Sequence, residues 1–95
     1  RVNVSDIQWI DAAGDYMCVH ALDGMHIMRK TMKELEQELN PQLFVRVHRS
    51  AIANIRFVKK LVSHISGEYH LILHNDTELK VSRSHRDKVK AAMKM

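Results

Sequence analysis

The feature that most constrains the fold of this chain is a series of short segments in which apolar residues recur at every second position. Alternation with a period of two is typical of β-strands that bury one face. Turn-forming pairs at Asp23-Gly24, Ser66-Gly67 and Asn75-Asp76 predict hairpins between neighbouring strands. The alternating segments are residues 6–11, 16–22, 25–30, 43–48, 57–65, 69–74 and 78–82. The sequence therefore predicts a mainly-β fold of antiparallel strands.

Two helices interrupt the strand pattern. Thr31 followed by Glu34 predicts a capping box at the start of a short internal helix, which Asn40-Pro41 ends. A second helix is expected to begin at Ser84, with Asp87 as its reciprocal capping partner, and to continue toward the C-terminus. The apolar stripes of the two helices are Met32, Leu35 and Leu39 in the first and Val89, Ala92 and Met93 in the second.

The length of 95 residues and the absence of internal repeats predict one continuous domain over residues 1–95. Because the chain begins at Arg1, we expect it to be a fragment of a longer protein that also carries a regulatory domain. Cys18 is the only cysteine, which favours a reducing compartment. No uncharged stretch approaches the ~20 apolar residues of a membrane span. We therefore predict a cytoplasmic location and no membrane partner.

Charge is divided unevenly between the two halves of the chain, which carries +4 overall. Residues 1–41 contain four Lys/Arg and seven Asp/Glu, a net charge of −3, whereas residues 42–95 contain eleven and four, a net charge of +7. A strongly basic half favours association with a polyanion, either nucleic acid or an acidic membrane surface. Scattered lysines that only keep a surface solvated would give the same composition, so charge alone leaves both interpretations open.

Seven histidines raise the question of a metal or catalytic site. His70 and His74 would share a strand face about 13 Å apart, which is too far for one zinc ion. His20 and His26 flank the predicted Asp23-Gly24 turn, where strand pairing directs them to opposite faces. The sequence contains no CxxC, HExxH, Gly-rich phosphate loop or nucleophile elbow. We therefore predict no metal site, no cofactor and no enzymatic activity.

The segment FVRVHRS at residues 44–50 breaks its own alternation. Val45 and Val47 fit the buried face of a strand, but the same periodicity would place Arg49 in the core as an unpaired charge, at a cost of several kcal/mol. We therefore predict that the chain leaves the sheet at Arg49, with Ser50 capping a short turn formed by AIAN at residues 51–54. The Arg49 guanidinium would then project from the rigid end of a strand.

A second arginine has the same setting, because Arg83 directly follows the last predicted strand. Arginine at a rigid position suits nucleic acid, since its planar fork can bind guanine O6 and N7 together. The alternative is that Arg49 and Arg83 pair with acidic residues such as Asp11 or Glu78 and only fix loops. Residues expected to bind phosphates and supply sequence-independent affinity are Ser50, Ser82, Ser84, Lys59, Lys60, Lys80, Arg86, Lys88 and Lys90.

Candidate exposed aromatic residues are few, with Tyr16 and Tyr69 the main ones. Single-stranded DNA and RNA are bound largely through aromatic stacking platforms. Double-stranded DNA is therefore the expected polyanion. The rival hypothesis is a protein-interaction or ligand-sensing module that docks its basic face on an acidic partner.

Four motifs, in this order, resemble the LytTR family of bacterial DNA-binding domains, the output modules of many response regulators. They are IQWIDAAGDYMCVHALDG at 7–24, RKTMKELEQEL at 29–39, FVRVHRSAIAN at 44–54 and LKVSR at 79–83. The resemblance covers essentially the full chain. It implies an elongated, mainly-β fold of packed antiparallel sheets with one short internal helix and a C-terminal helix. It also implies DNA binding without a recognition helix, through loops that enter successive major grooves.

The resemblance assigns base contacts to Arg49 and Arg83, and to the loop around Asp15 that carries Tyr16 and Met17. Contacts to the DNA backbone are expected from the residues beside these loops and from part of the basic set above: His48, Ser50, Arg46, Asn54, Lys59, Lys60, Ser82, Ser84 and Arg86. We thus predict a sequence-specific double-stranded DNA-binding domain for transcription regulation, as the C-terminal output domain of a response regulator. Expected partners are direct repeats in DNA, a weak or DNA-dependent homodimer, and a receiver domain in the full-length chain.

Overall fold

The structure, a computed structural model, describes residues 2–94. Within that range the strands are β1 (Ile7–Ala13), β2 (Tyr16–Ala21), β3 (Gly24–Met28), β4 (Phe44–His48), β5 (Ala51–Asn54), β6 (Val58–Ser63), β7 (Tyr69–Leu73) and β8 (Glu78–Val81). The helices are α1 (Met32–Glu38) and α2 (Arg86–Ala92), and single 3-10 turns cover Val4–Asp6, Ile55–Phe57 and Arg83–His85. The mainly-β prediction with an internal and a C-terminal helix is confirmed.

The strands form two antiparallel sheets. The larger sheet has five strands in the order β3-β2-β1-β5-β4, and the smaller has three in the order β6-β7-β8. The molecule measures 39 × 23 × 21 Å, so the predicted elongated shape is confirmed. Among the described residues, no helix is long and apolar enough to cross a membrane.

The segment AIAN forms an inner strand of the larger sheet, so the prediction of a turn at residues 51–54 is wrong. This strand, β5, lies between β1 and β4, and all four of its residues are buried. A strand buried on both faces shows no alternation, because neither side faces water. The chain nevertheless leaves the sheet at the predicted point, since Arg49 and Ser50 form the two-residue turn of the β4–β5 hairpin.

The β2–β3 turn is formed by Leu22 and Asp23, one residue earlier than the predicted Asp23-Gly24 turn. Gly24 is the first residue of β3 and has a φ of +130°, a backbone conformation that glycine adopts readily. His26 pairs with the residue before His20 on β2. Since adjacent strand residues point to opposite faces, the predicted opposite orientation of His20 and His26 is confirmed.

The five-stranded sheet has a hydrophobic core on each face. Helix α1 covers one face, and the second sheet together with α2 covers the other. Ala51 and Ala53 are almost fully buried between the two sheets, where their small side chains let the sheets approach closely. The buried residues of the core between the sheets are Val45, Val47, Ala51, Ala53, Val58, Leu71, Leu73, Leu79, Val81 and Val89.

The two helices begin differently. At α1 the Glu34 N–H donates to Thr31 Oγ1 (3.0 Å) and the Thr31 N–H donates to Glu34 Oε1 (2.9 Å), so the predicted capping box is confirmed. Helix α2 begins at Arg86, after the 3-10 turn, and its preceding residue His85 makes no capping hydrogen bond. The prediction that Ser84 caps this helix with Asp87 is therefore wrong, because the 3-10 turn places Ser84 two residues before its start.

Candidate nucleic-acid interface

One end of the molecule gathers three separate turns. The β1–β2 turn at residues 14–15 and the β4–β5 turn at residues 49–50 lie side by side, because β1 and β5 are paired antiparallel. The Ala12 N–H donates to the Ser50 carbonyl oxygen at 2.9 Å. The Ser82 N–H donates to the Val47 carbonyl oxygen at 2.9 Å, which brings the end of β8 to the same edge. We call this edge the turn edge.

Arg46 supports the β4–β5 turn from the sheet. Its Nε and Nη2 groups donate to the carbonyl oxygens of His48 (3.4 Å) and Arg49 (2.7 Å). Its Nη1 donates to Glu36 Oε1 on α1 at 3.1 Å. The Arg46 guanidinium is thus engaged within the protein, whereas the Arg49 side chain is exposed.

The His48 ring closes the same turn. Its Nδ1 accepts a hydrogen bond from the Ser50 N–H at 3.0 Å. Partial burial lowers the pKa of His48, because a charged imidazole is poorly solvated there. The neighbouring His85, Arg46 and Arg49 lower that pKa further by charge repulsion. Since a nitrogen that accepts a hydrogen bond carries no proton, the geometry and the electrostatics favour the same neutral ring.

The second turn of interest follows β8 and contains Arg83, whose side chain is exposed. Ser82 Oγ lies 2.6 Å from His85 Nδ1. Ser84 Oγ lies 3.3 Å from Ser82 Oγ and 3.2 Å from His85 Nδ1. Burial lowers the pKa of His85. Sequence reasoning did not single out His85, although a serine three residues earlier in a turn was an available signal for such a contact.

The two turns face each other across a cleft lined by His48, Arg49, Ser50, Lys80, Ser82, Ser84 and His85. A neighbouring cleft includes Arg83, Arg86 and Tyr69. The Arg86 guanidinium carbon and Lys90 Nζ lie 5.3 Å and 4.6 Å from the centre of the Tyr69 ring. The Lys90 ammonium group lowers the pKa of Tyr69. Positive charge therefore extends from the turn edge along α2.

Arg49 and Arg83 make no ion pair with any of residues 2–94. Asp11, one acidic partner considered above, lies 2.9 Å from His20 Nε2. Glu78, the other, lies 2.6 Å from His70 Nδ1. Within the described chain, the alternative in which these arginines only fix loops by ion pairing is therefore not supported.

Tyr16 and Met17 have opposite orientations at the start of β2. Tyr16 is 44% exposed beside the β1–β2 turn, with the Arg29 guanidinium carbon 5.8 Å from its ring centre. Met17 is 6% exposed and packs in the core beneath α1, which contradicts the prediction that it contacts a base. Arg29, at the end of β3, is an exposed cation at the turn edge that sequence reasoning missed.

Asn54 lies inside the molecule. It is 1% exposed, its Nδ2 donates to the Ile7 carbonyl oxygen at 2.8 Å, and its Oδ1 accepts the Arg56 N–H at 3.0 Å. This burial contradicts the prediction that Asn54 contacts the DNA backbone. Its role is to join β5 to the beginning of β1.

Lys59 and Lys60 stand near the start of β6, whereas the end of β6 lies level with the end of β8. Lys60 is therefore about 10 Å along the strand from the turn edge. Lys59 Nζ donates to Asp76 Oδ1 at 3.2 Å. The structure does not bring these two lysines together with Arg49 or Arg83.

The model of the LytTr DNA-binding domain family matches residues 1–94. The chain belongs to this family. LytTr domains are DNA-binding domains rather than a catalytic fold, so the partner assigned to this chain is DNA. Two of the turns at the turn edge, residues 49–50 and 82–85, and the basic residues beside them are therefore the candidate nucleic-acid interface of a LytTr domain.

A solved structure has the same fold as this LytTr domain. It is the LytTr DNA-binding domain of a response regulator from Bacillus cereus, with a TM-score of 0.91 and 22% sequence identity. The similarity covers 99% of this chain and 86% of the solved one. The prediction of packed antiparallel sheets is thus confirmed, and the structure shows that there are two of them.

Longer proteins contain similar segments. The sensory transduction protein LytT of Bacillus cereus is 28% identical over 94 residues, which are 99% of this chain and 38% of LytT. The transcriptional regulatory protein LytR of Staphylococcus aureus is 29% identical over 75 residues, covering 79% of this chain and 30% of LytR. The LytTr domain described here therefore spans well under half the length of these relatives.

Proposed function

We propose that this LytTr domain binds a specific sequence of double-stranded DNA by inserting its two basic turns, residues 49–50 and 82–85, into successive major grooves. The observation that supports this most is that Arg49 and Arg83 are both exposed in turns that lie close together, since the Ser82 N–H donates to the Val47 carbonyl oxygen at the end of β4. Arginines on a rigid platform lose little conformational freedom on binding, so more of their hydrogen-bond energy is available to distinguish bases.

The proposed contacts fall into three groups. Bases are contacted by Arg49, Arg83 and Tyr16. The DNA backbone is contacted by His48, Ser50, Lys80, Ser82, Ser84 and Arg86, which line the two clefts beside the arginines or lie on their rims. Arg46 acts as a positioning residue, because two of its hydrogen bonds hold the Arg49 turn and a third goes to Glu36, which leaves little of its fork for a phosphate.

The relatives named above suggest the regulatory setting. Their names describe sensory transduction and transcriptional regulation, and they are more than twice as long as this domain. We place the domain as the output half of a response regulator whose receiver domain controls it. Direct repeats in DNA would then bind two copies of the domain, which dimerise weakly or only on DNA. A cytoplasmic location follows from this role and stays a prediction.

Selection of bound duplexes from a random library tests the proposal. We expect one motif to be enriched, to occur as a direct repeat, and to bind at least about 10³-fold more tightly than random duplex at physiological salt. Equal retention of all sequences would contradict sequence-specific binding. That outcome would favour the rival hypothesis, in which the basic face docks an acidic protein.

A further inference from the structure

The outer face of the three-stranded sheet carries a cluster of metal-ligating side chains. His64 directly follows β6, His70 lies in β7 and Glu78 is the first residue of β8. One ligand atom from each of these residues lies within 4.8 Å of the ligand atoms of the other two. His64 Nε2 is 3.6 Å and His70 Nδ1 is 2.6 Å from the same oxygen, Glu78 Oε2. None of these three residues is among the proposed DNA contacts.

The central member of the cluster is unusual. The His70 side chain is only 19% exposed, and its Nδ1 is buried and makes no hydrogen bond of acceptable geometry with the described residues. Its other nitrogen, Nε2, lies 3.3 Å from Glu68 Oε1. Glu68 thus engages Nε2, while Nδ1, the nitrogen beside Glu78 Oε2, is the one placed to bind a metal ion.

We propose that His64, His70 and Glu78 form a binding site for a divalent transition-metal ion of the zinc class. Two imidazoles and one carboxylate are a ligand set that Zn²⁺ and its neighbours in the first transition row accept readily. A cation placed between Nδ1 and Oε2 would accept a lone pair from each of these atoms. Nitrogen donors make the set unsuitable for Mg²⁺ and Ca²⁺, which prefer oxygen ligands.

The geometry needs little adjustment to bind such an ion. Zinc bonds of about 2.0–2.1 Å in a tetrahedron hold the ligand atoms about 3.3 Å apart. The 3.6 Å separation of His64 and Glu78 is close to that value, and the 2.6 Å separation of His70 and Glu78 must open by about 0.7 Å. His64 and Glu78 are roughly half exposed, so their side chains can move. The fourth position would be open to water.

Glu68 and Lys80 complete the surroundings of the site. Glu68 contacts His70 through Oε1 and Lys80 Nζ through Oε2, the latter at 3.3 Å. A carboxylate that orients a metal-binding histidine commonly strengthens metal affinity. Lys80 offsets the charge of Glu68, so the site has a net charge near −1 from Glu78. We infer a site of moderate affinity that ties the three strands of the small sheet together.

Sequence reasoning missed this cluster because it compared histidines along one strand and across one hairpin. His70 was compared with His74 on the same predicted strand, whereas its neighbours in the cluster lie at the end of β6 and at the start of β8. The β6–β7 pairing, in which Val62 faces His70, places His64 within reach of His70, and their ring centres are 4.3 Å apart. This pairing depends on the length of the 64–68 loop, which the sequence pattern did not fix.

Titration of the metal-free 95-residue chain with Co²⁺ tests the proposal. We expect one equivalent to bind with visible d–d absorption typical of four-coordinate cobalt, and Zn²⁺ to displace it, while excess Mg²⁺ has no effect. Zn²⁺ should also raise the midpoint of thermal unfolding, because an ion that binds only the folded chain stabilises it. The variant His70→Ala should lose both effects, and Glu68→Gln should weaken binding by about tenfold or more.

His74→Ala is the matched control, because His74 is an exposed histidine that directly follows the same strand and lies outside the cluster. We expect it to bind Co²⁺ as the unaltered chain does. If His70→Ala does not fold, as judged by circular dichroism, Glu78→Gln replaces it, since Glu78 lies at a strand end and is half exposed. Absence of Co²⁺ binding, or binding that persists in Glu78→Gln and His70→Ala, would overturn the proposal.

Discussion

Two arginines three positions apart in the β4–β5 hairpin have different tasks. Arg46 donates to two carbonyl oxygens of the turn and to Glu36, so removing it would loosen the turn. Arg49 is exposed and makes no ion pair within the described chain, so removing it would leave the turn intact. This division separates a residue that holds the site from one that is free to contact a ligand.

Arg49→Ala is therefore expected to lower affinity for the selected duplex by about 1–3 kcal/mol and to relax base preference at one position, because a bidentate base contact is lost. Lys60→Ala is the matched control, since Lys60 lies away from the turn edge. We expect this variant to bind both duplexes as the unaltered domain does. Competition binding against the selected and a scrambled duplex measures both effects. Equal losses on the two duplexes from Arg49→Ala would remove its base-reading role.

The His48 ring gives a pH dependence. Its pKa lies below the ordinary value of about 6.5, because of burial and the nearby positive groups His85, Arg46 and Arg49, while Asp11 opposes them. The unfolded chain thus binds a proton at His48 more readily than the folded chain. The contribution of His48 to the free energy of unfolding is fully present above about pH 6.5 and declines as pH falls from there toward the lower folded-state pKa.

NMR titration of the His48 ring should accordingly give a midpoint below about 6.5. Denaturant unfolding on either side of that pH measures how much free energy of unfolding is lost on acidification. We expect this loss to be smaller in His48→Asn than in the unaltered chain, because the asparagine amide oxygen can accept the Ser50 N–H but does not take up a proton. A midpoint above the ordinary value would show that the carboxylate of Asp11 outweighs burial.

The sequence predicted the exposed arginines but not every side-chain direction at the turn edge. Arg49 and Arg83 were found because a charge that breaks an alternation must leave the core. Met17 and Asn54 were assigned to DNA although both are buried, since the direction of each side chain depends on strand register. The one-residue difference between Tyr16 and Met17 separates the solvent face from the core. Neighbouring residues in a motif therefore need not share a role.

At the scale of elements, β5 is the part that pattern reading cannot find. Its four residues are buried on both faces of the larger sheet, so it has no polar positions to reveal a period of two. Two of them, Ala51 and Ala53, are small because the second sheet packs directly on them. Strands with one solvated face, such as β8 with its alternating exposed and buried residues, were predicted correctly.

Ala53→Leu tests this packing. Three additional carbon atoms at a fully buried position between the sheets should destabilise the domain by about 1–3 kcal/mol, because a well-packed core cannot expand without strain. Ala13→Leu, at an exposed position of the neighbouring strand β1, is the control and should change the free energy of unfolding by less than about 0.5 kcal/mol. Urea denaturation measures both. A stable Ala53→Leu variant would mean that the two sheets are not closely packed.

At the scale of the whole molecule, folding concentrates the basic half of the chain. The C-terminal +7 half supplies β8, α2 and the β4–β5 turn, while three of the seven acidic residues of the N-terminal half lie in α1, on the opposite face of the larger sheet. The field at the turn edge is therefore stronger than the overall +4 suggests. Lys59 and Lys60 add to the net charge but lie away from that edge, so a count of charges along the sequence overstates the positive charge of the interface.

The salt dependence of DNA binding distinguishes these two groups of cations. Each phosphate contact contributes about 0.9 to the slope of log affinity against log salt, because binding releases counterions from the duplex. Arg86→Ala should therefore make the slope shallower by about 0.9, the contribution of one phosphate contact. It should weaken binding to specific and random duplexes alike. Lys60→Ala should leave the slope unchanged, since that side chain lies about 10 Å along its strand from the turn edge. Fluorescence anisotropy over a series of salt concentrations gives the slopes. If Lys60→Ala changes the slope and Arg86→Ala does not, the DNA backbone follows the small sheet rather than α2, and the proposed orientation of the domain on DNA is incorrect.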